Sequence, residues 1–394
     1  MPDRYLAYIL TFAVISTIIA VDIYIPCLPM MMDYFGASPE LVQSTVSASI
    51  IGSSIFTIFV GPLSDAFGRR NLIVWSQGLY ALVSLACAFA PSAEALIVLR
   101  FFQGIASTAP FVLAFAVIAD RFKGQDVASY YALITMAITG SLMCAPVLGG
   151  YIGETFSWQG CFIFMGIFAA MPFLVLWKLL PETLKKPIPY SISGTFKTYR
   201  EIFSNLSFMG MAIVPSVMIG GFVATMACAS FYYIVELGLS ASAFSLHQAF
   251  IMGCNTVFSY LSSRALKKYD MSSIVTVGLG IFTFGGISFL LTTVMDPGSA
   301  TLLSVTMAFY ASGVGFVFAA ITAEAMSQYP DKSGVASSAI ASIRGLLIAS
   351  AVSLSSFIYA GDMFDVSLML AAIAALCVMI MAPILRARSR RRLG

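Results

Sequence analysis

Residues Gly61–Arg70 read GPLSDAFGRR and lie between two apolar runs, 41–61 and 72–90. Gly61 and Gly68 permit tight backbone geometry. Asp65 can cap a neighbouring helix N-terminus or accept from an arginine, and Arg69 and Arg70 hold a loop on the cytoplasmic side of a bilayer. A generic cytoplasmic loop also favours Gly, Asp and Arg, but at this spacing, between two runs of membrane length, the segment reads as a latch joining two transmembrane helices.

Outward from this segment the pattern repeats along the chain. Apolar runs fall at 5–27, 41–61, 72–90, 96–119, 127–150 and 158–180, then at 207–235, 243–263, 272–294, 299–325, 335–358 and 365–385. Each is close to the roughly 20 residues that a bilayer core requires. With 394 residues, 59% hydrophobic and 10% charged, the chain is far from the roughly 25% charged fraction of soluble domains. Lipid is therefore its main solvent, and twelve spans of about 20 residues leave no room for a separate soluble domain. The longest polar interval, 181–205, reads PETLKKPIPYSISGTFKTYREIFSN. The expected organisation is an all-α membrane protein of twelve transmembrane helices. An N-terminal six-helix bundle (1–180) precedes a cytoplasmic linker (181–206), and a C-terminal six-helix bundle (207–394) ends in the basic tail RARSRRRLG.

Lysine and arginine resist translocation, so their placement orients the spans. With a cytoplasmic N-terminus, every Lys and Arg except Arg100 and Arg344 falls in the termini and the even-to-odd loops. The opposite loops hold none, which places both termini in the cytoplasm and the chain in the cell inner membrane. The tail then reads as a topological anchor or a contact for anionic lipid, not as a nucleic-acid site. The run 5–25 follows Arg4 but spans, and it lacks a clear small-residue cleavage site, so it reads as a retained helix. Two echoes relate the halves: KGQDVASYYAL from Lys123 to DKSGVASSAIA from Asp331, and LSDAFGRR from Leu63 to LSSRALKK from Leu261. They suggest a duplicated six-helix unit, as in many secondary transporters.

The chemistry-bearing residues are few. Seven cysteines are scattered through apolar runs without a CxxC pair, which supports neither a disulfide framework nor a zinc site. With one histidine and no HExxH, GxSxG or P-loop, the sequence offers no enzyme chemistry and no ATP-driven pump. A channel would call for a pore loop or filter repeat, and none is visible. No cofactor is implied beyond a proton gradient.

Asp22 is the most informative position, because an ionisable group inside a span is a functional-site hypothesis by default and a desolvated carboxylate can exchange protons near neutral pH. Alternatively, Pro26 and Pro29 end the helix and leave Asp22 hydrated at the interface. Arg100 must find a carboxylate, a carbonyl or water. It reads either as a cavity-facing group or as an interhelical anchor. Arg344, within AIASIRGLLIAS, would favour an anionic substrate or pair with a carboxylate such as Asp22; alternatively it lies near the cytoplasmic helix end and reaches loop water. His247, Glu236 and Glu324 lie near helix ends, where interfacial or capping roles suffice. Gly140, Gly149 and Gly150, like Gly334, Ser338, Ser342 and Gly345, repeat small residues at spacings of about four that let helices approach and slide. Tyr232, Tyr233 and Tyr310 are candidates to line a cavity, although interfacial belts explain most aromatics here.

GPLSDAFGRR resembles the loop 2–3 signature of the major facilitator superfamily. Two further signatures fall in register. Leu99–Gly104 resembles the family's RxxQG element, and GSLMCAPVLGG at 140–150 resembles the antiporter signature, with Ala145 where many members carry glycine. The DIYIPCLP stretch (22–29), the ADRF stretch at Asp120 and LPETL after the sixth span further resemble the drug and proton antiporter branch, particularly the bicyclomycin and chloramphenicol exporter group. The resemblance implies two pseudo-symmetric six-helix bundles around a cavity that alternates between the membrane faces. It also implies a monomeric, proton-coupled carrier that moves a small molecule, most simply drug or metabolite efflux. Asp22 would couple protons; Asp22, Arg100, Arg344 and Tyr310 would contact substrate; and Gly61, Asp65, Gly68, Arg69, Arg70, Gly149 and Gly150 would form the conformational latch. Members of this group usually carry an uncharged residue, often glutamine, near Arg344. That departure raises the alternative of import or export of an anionic metabolite such as a carboxylate-type siderophore.

Overall fold

The computed structural model describes residues 3–123, 125–184, 199–329 and 333–393. Most of the expected linker lies outside them, as do Lys185, Lys186, Lys197 and Lys332 of the charge pattern. Helix α1 (Asp3–Asp22) is followed by a 3-10 turn (Ile25–Cys27), α2 (Leu28–Phe35), α3 (Pro39–Phe67), α4 (Arg69–Ala88) and α5 (Ala93–Arg121). The helical run Gln125–Leu179 breaks at Ser157 (φ 61°, ψ 175°) into α6 (125–156) and α7 (158–179). Then come α8 (Leu206–Phe231) with a π-helical turn (Tyr232–Glu236), α9 (Ala241–Ala265), α10 (Met271–Met295), α11 (Ala300–Ser327), α12 (Ser333–Ile358) and α13 (Phe364–Leu393). No strand occurs among the described residues.

Ten helical stretches of the described residues are long and apolar enough to cross a membrane. Counting the two arms about Ser157 separately and adding α9 gives the twelve that the sequence predicts. α9 is less apolar than those ten because it is rich in serine and amide side chains, and three of these face α11. Asn255 Nδ2 donates to the Ala311 carbonyl (2.7 Å), Ser259 Oγ to Gly315 (3.0 Å) and Ser262 Oγ to Phe316 (2.6 Å), a ladder of side-chain donors against α11. In lipid such interhelical bonds supply part of the cohesion that apolar burial supplies in water.

Two boundaries differ from the sequence reading. The first span continues beyond 27 through the 3-10 turn and α2 to Phe35, so Asp22 stands at a break inside the span and not at its end. The expected gap between the fifth and sixth runs contracts to a joint at Ser157. Serine caps start several helices: Ser38, Ser92, Ser240 and Ser299 each accept from the backbone N–H three residues on, at the heads of α3, α5, α9 and α11.

The chain divides into two compact units, Met1–Thr198 and Tyr199–Gly394. Within the first, α3 packs on α5, α4 on α5 and on the α6–α7 run, and α1 on that run and on α5. Within the second, α9 packs on α11, α10 on α11 and α13, and α8 on α12, α13 and α11. The same pairings recur in the same order, as a duplicated six-helix unit requires. Close approach of α3 and α5 needs glycine on both sides: a Cβ at Gly104 would strike the Ser49 carbonyl, and one at Gly52 the Phe101 carbonyl.

Candidate functional site

The RxxQG element occupies one face of α5, and its three fixed residues do three different jobs. Gly104 admits α3, Gln103 Nε2 donates to Ser84 Oγ on α4 (2.6 Å), and Arg100 reaches across the unit. Arg100 is 0% exposed. Its Nη1 donates to Gln103 Oε1 and its Nε to the Thr45 carbonyl (3.4 Å). Its guanidinium lies 4.4 Å from the Tyr24 ring centroid and 5.8 Å from that of Phe162, while Nη2 has no hydrogen-bond partner among the described residues. Tyr24 is fixed in turn by a 3.1 Å bond between its hydroxyl and Thr45 Oγ1. A buried cation is thus held by π faces and carbonyl oxygen, with no carboxylate in the set. In this arrangement Arg100 presents no open surface of its own and bonds across α3 and α5.

Asp22 closes α1 two residues before Tyr24 and is half-buried, and it forms no ion pair among the described residues. The break after it is packed from behind by α6. Gly149 lies against the Ile23 carbonyl so closely that a Cβ there would overlap it, and Gly150 beside it is buried. The antiporter-like glycines therefore seat the α1–α2 break, and Asp22 depends on them for its position.

The Gly61–Arg70 segment is a junction of four helix ends. Gly68, with φ of 91°, turns the chain from α3 into α4, and a Cβ there would press on the Glu182 carboxylate. Glu182, in the LPETL stretch, caps α4 from the far end of the unit: Oε1 accepts from Arg69 N (3.1 Å) and Oε2 from Arg70 N (3.2 Å). Arg70 returns the contact, donating from Nε to the Leu180 carbonyl and from Nη2 to that of Trp177, both at 2.7 Å. Arg69 Nη1 pairs with Asp120 Oδ2 at the end of α5 (2.5 Å), and Asp65 lies 3.9 Å from Arg69 Nη2 as a weaker second partner. Gly61 sits about two turns before Gly68, in α3, where a Cβ would meet nothing within 4 Å. The junction thus includes Glu182 and Asp120, which the loop sequence alone does not reveal. The PETL and ADRF resemblances were the available signal for both.

In the second unit Arg344 is the twelfth residue of the 26-residue α12, which places it about 16 Å along the helix and not near its end. It is half-buried, its guanidinium lies 5.0 Å from the Phe318 ring centroid on α11, and it forms no ion pair among the described residues. Tyr310, expected as a cavity-lining residue, is instead 0% exposed in the packing of α8, α10 and α11. Its hydroxyl donates to the Met218 carbonyl (3.3 Å) and its ring centroid lies 4.3 Å from that of Phe282, the planes tilted by 44°. His247 bonds through Nδ1 to Ser304 Oγ (2.9 Å), which also meets the Tyr233 hydroxyl (3.0 Å).

The Major Facilitator Superfamily model matches residues 10–353. The chain is 30% identical to the uncharacterized MFS-type transporter YdgK of Bacillus subtilis, over 88% of this chain and 87% of that one. It is 27% identical to the bicyclomycin resistance protein homolog of Haemophilus influenzae, over 86% and 85%. Its fold is similar to that of the xylose transporter XylE from E. coli in a partially occluded inward open conformation, with a TM-score of 0.76 at 13% identity, covering 96% of each chain. A multi-pass helical protein with this loop junction, this α5 element and this extent of match belongs to the Major Facilitator Superfamily, alongside drug-resistance proteins, and is a transporter and not an enzyme.

Proposed function

We propose that the chain exports a small amphipathic molecule across the inner membrane in exchange for protons, by alternating access, as a monomer of two six-helix halves (1–180 and 207–394) joined by the 181–206 segment. One observation carries the proton-coupling part. Asp22 is an ionisable group at a helix break inside a span, half-buried and without an ion-pair partner among the described residues. A carboxylate so placed can take a proton from one face and give it to the other while substrate and proton compete for the same loaded state. The bicyclomycin resistance protein homolog of H. influenzae supports a drug-like cargo. The test is flux in proteoliposomes of chloramphenicol, bicyclomycin, a cationic dye and a polycarboxylate, with and without a proton ionophore. Ionophore-sensitive flux that Asp22→Asn abolishes supports the reading; flux that ignores both overturns it.

A second reading, transport of an anionic metabolite, rests on Arg344. A mid-helix guanidinium 5.0 Å from the Phe318 ring centroid and without an ion pair among the described residues is suited to a carboxylate cargo. Retained polycarboxylate binding in Arg344→Gln would defeat it.

A further inference from the structure

The break after Asp22 contains Cys27, and the first turn of α7 contains Cys161, far apart in the chain. Their sulfurs stand 3.6 Å apart, both side chains are 0% exposed, and both thiols point at one acceptor, the Gly149 carbonyl, at 3.6 Å each. Cys161 also reaches the Ile23 carbonyl at 3.8 Å. Thiol hydrogen bonds of this length are weak, and the pair needs to close by only about 1.5 Å to reach bonding distance. Gly153 clears the space: a Cβ there would lie 2.5 Å from Cys27 Sγ. Of the remaining cysteines, Cys144 is exposed and Cys254 half-buried. The connections at this end of the unit, 36–38, 89–92 and 157, carry no Lys or Arg, which by the charge pattern is the extracytoplasmic side, where disulfides persist.

We propose that Cys27 and Cys161 form a dithiol modification site that closes to a disulfide and pins the α1–α2 break to α7. With a peroxide as oxidant, one thiol gives its sulfenic acid and one water. The second thiol then condenses with that acid to form the S–S bond and release a second water, so one peroxide is consumed for two thiols. The bond ties the hinge that follows Asp22 to a helix it now only packs against, and the hinge loses its freedom to reorient. The consequence for transport rests on the coupling reading of Asp22; the linkage and its effect on the hinge do not.

The experiment treats the full chain, with Cys144→Ser and Cys254→Ser to remove the more accessible thiols, with hydrogen peroxide in proteoliposomes. Three readouts follow: non-reducing peptide mass spectrometry, hydrogen exchange of 23–35, and chloramphenicol flux. The expected result is a linked peptide pair carrying Cys27 and Cys161, exchange at 23–35 slowed by about ten-fold, flux lowered several-fold, and all three reversed by dithiothreitol. Cys161→Ser retains Cys27 and a side chain of the same shape; it should show a dimedone-trappable sulfenic acid without slowed exchange. Absence of the linked pair, or linkage to another cysteine, overturns the proposal, as does linkage that leaves exchange unchanged. Linkage with slowed exchange but no chloramphenicol flux in either state sustains the site and counts against the drug-export reading instead.

Discussion

A guanidinium removed from water without a carboxylate costs several kcal/mol, of which cation–π contact with Tyr24 and Phe162 returns about 2 kcal/mol and the Thr45 carbonyl bond a further part. Packing alone would not retain such a residue, since an apolar side chain of equal volume holds a buried site at least as well. Arg100→Met is therefore expected to leave the melting temperature in detergent unchanged or raised, while lowering ionophore-sensitive flux by ten-fold or more. A lowered melting temperature with full flux would make Arg100 a structural anchor only. Arg100→Lys keeps the charge but loses the planar fork that serves Gln103 and Thr45 together, and it should fall below wild type in both measures. The motif was legible because Arg100, Gln103 and Gly104 share one helical face. Its aromatic partners were not, because Tyr24 and Phe162 lie far off in sequence among many similar rings. Tyr310 misled for a related reason: a tyrosine in an apolar run looks amphipathic, yet the Met218 carbonyl satisfies its hydroxyl inside the packing.

Helix ends and helix crossings carry the next order of energy. α4 begins without a side-chain cap of its own and borrows Glu182, whose carboxylate meets the first two N–H groups of the helix and its positive dipole end. Removing it in Glu182→Ala should cost about 1 kcal/mol, read as exchange at the amides of 69–72 faster by about five-fold, with the rest of the unit unchanged. Uniform acceleration across the unit would show instead that the junction sets global stability. The α1–α6 crossing tolerates less. A methyl at Gly149 must displace the Ile23 carbonyl, so Gly149→Ala is expected to cost 1–3 kcal/mol, the usual range for overpacking. It should also lower flux, because Asp22 moves with its hinge; wild-type flux and stability would remove Gly149 from the latch. At this scale the sequence was only partly legible. Hydropathy registers spans, but a one-residue joint at Ser157 in GETFSWQG has no glycine or proline at the break itself. The proline-rich end of the first run looked like a stop, because a 3-10 turn followed by α2 has the same local signals as a helix terminus.

Across the whole chain, the twelve spans and their division in two were legible because lipid imposes a length on every helix and each six-helix unit must satisfy its own packing. The recurrence of pairings, α3 on α5 and α4 on α5 in one unit, α9 on α11 and α10 on α11 in the other, gives the short sequence echoes a structural counterpart. Sidedness is a separate matter, fixed by the cost of translocating Lys and Arg and not by packing. α10 makes it testable, because its 25 residues, Met271–Met295, have exposed neighbours at both ends: Tyr269 before it, beside Lys267 and Lys268, and Gly298 after it, in a connection without basic residues. In a chain depleted of reactive cysteines, Gly298→Cys should react with a membrane-impermeant maleimide in intact cells, and Tyr269→Cys only after permeabilisation. The reverse pattern would put the termini and the Gly61–Arg70 junction on the outer face. Labelling of both positions in intact cells would mean that α10 does not span, which would break the count of twelve. The reverse pattern would also carry Cys27 and Cys161 to a different compartment, so this one measurement bears on the topology, the Gly61–Arg70 junction and the redox site together.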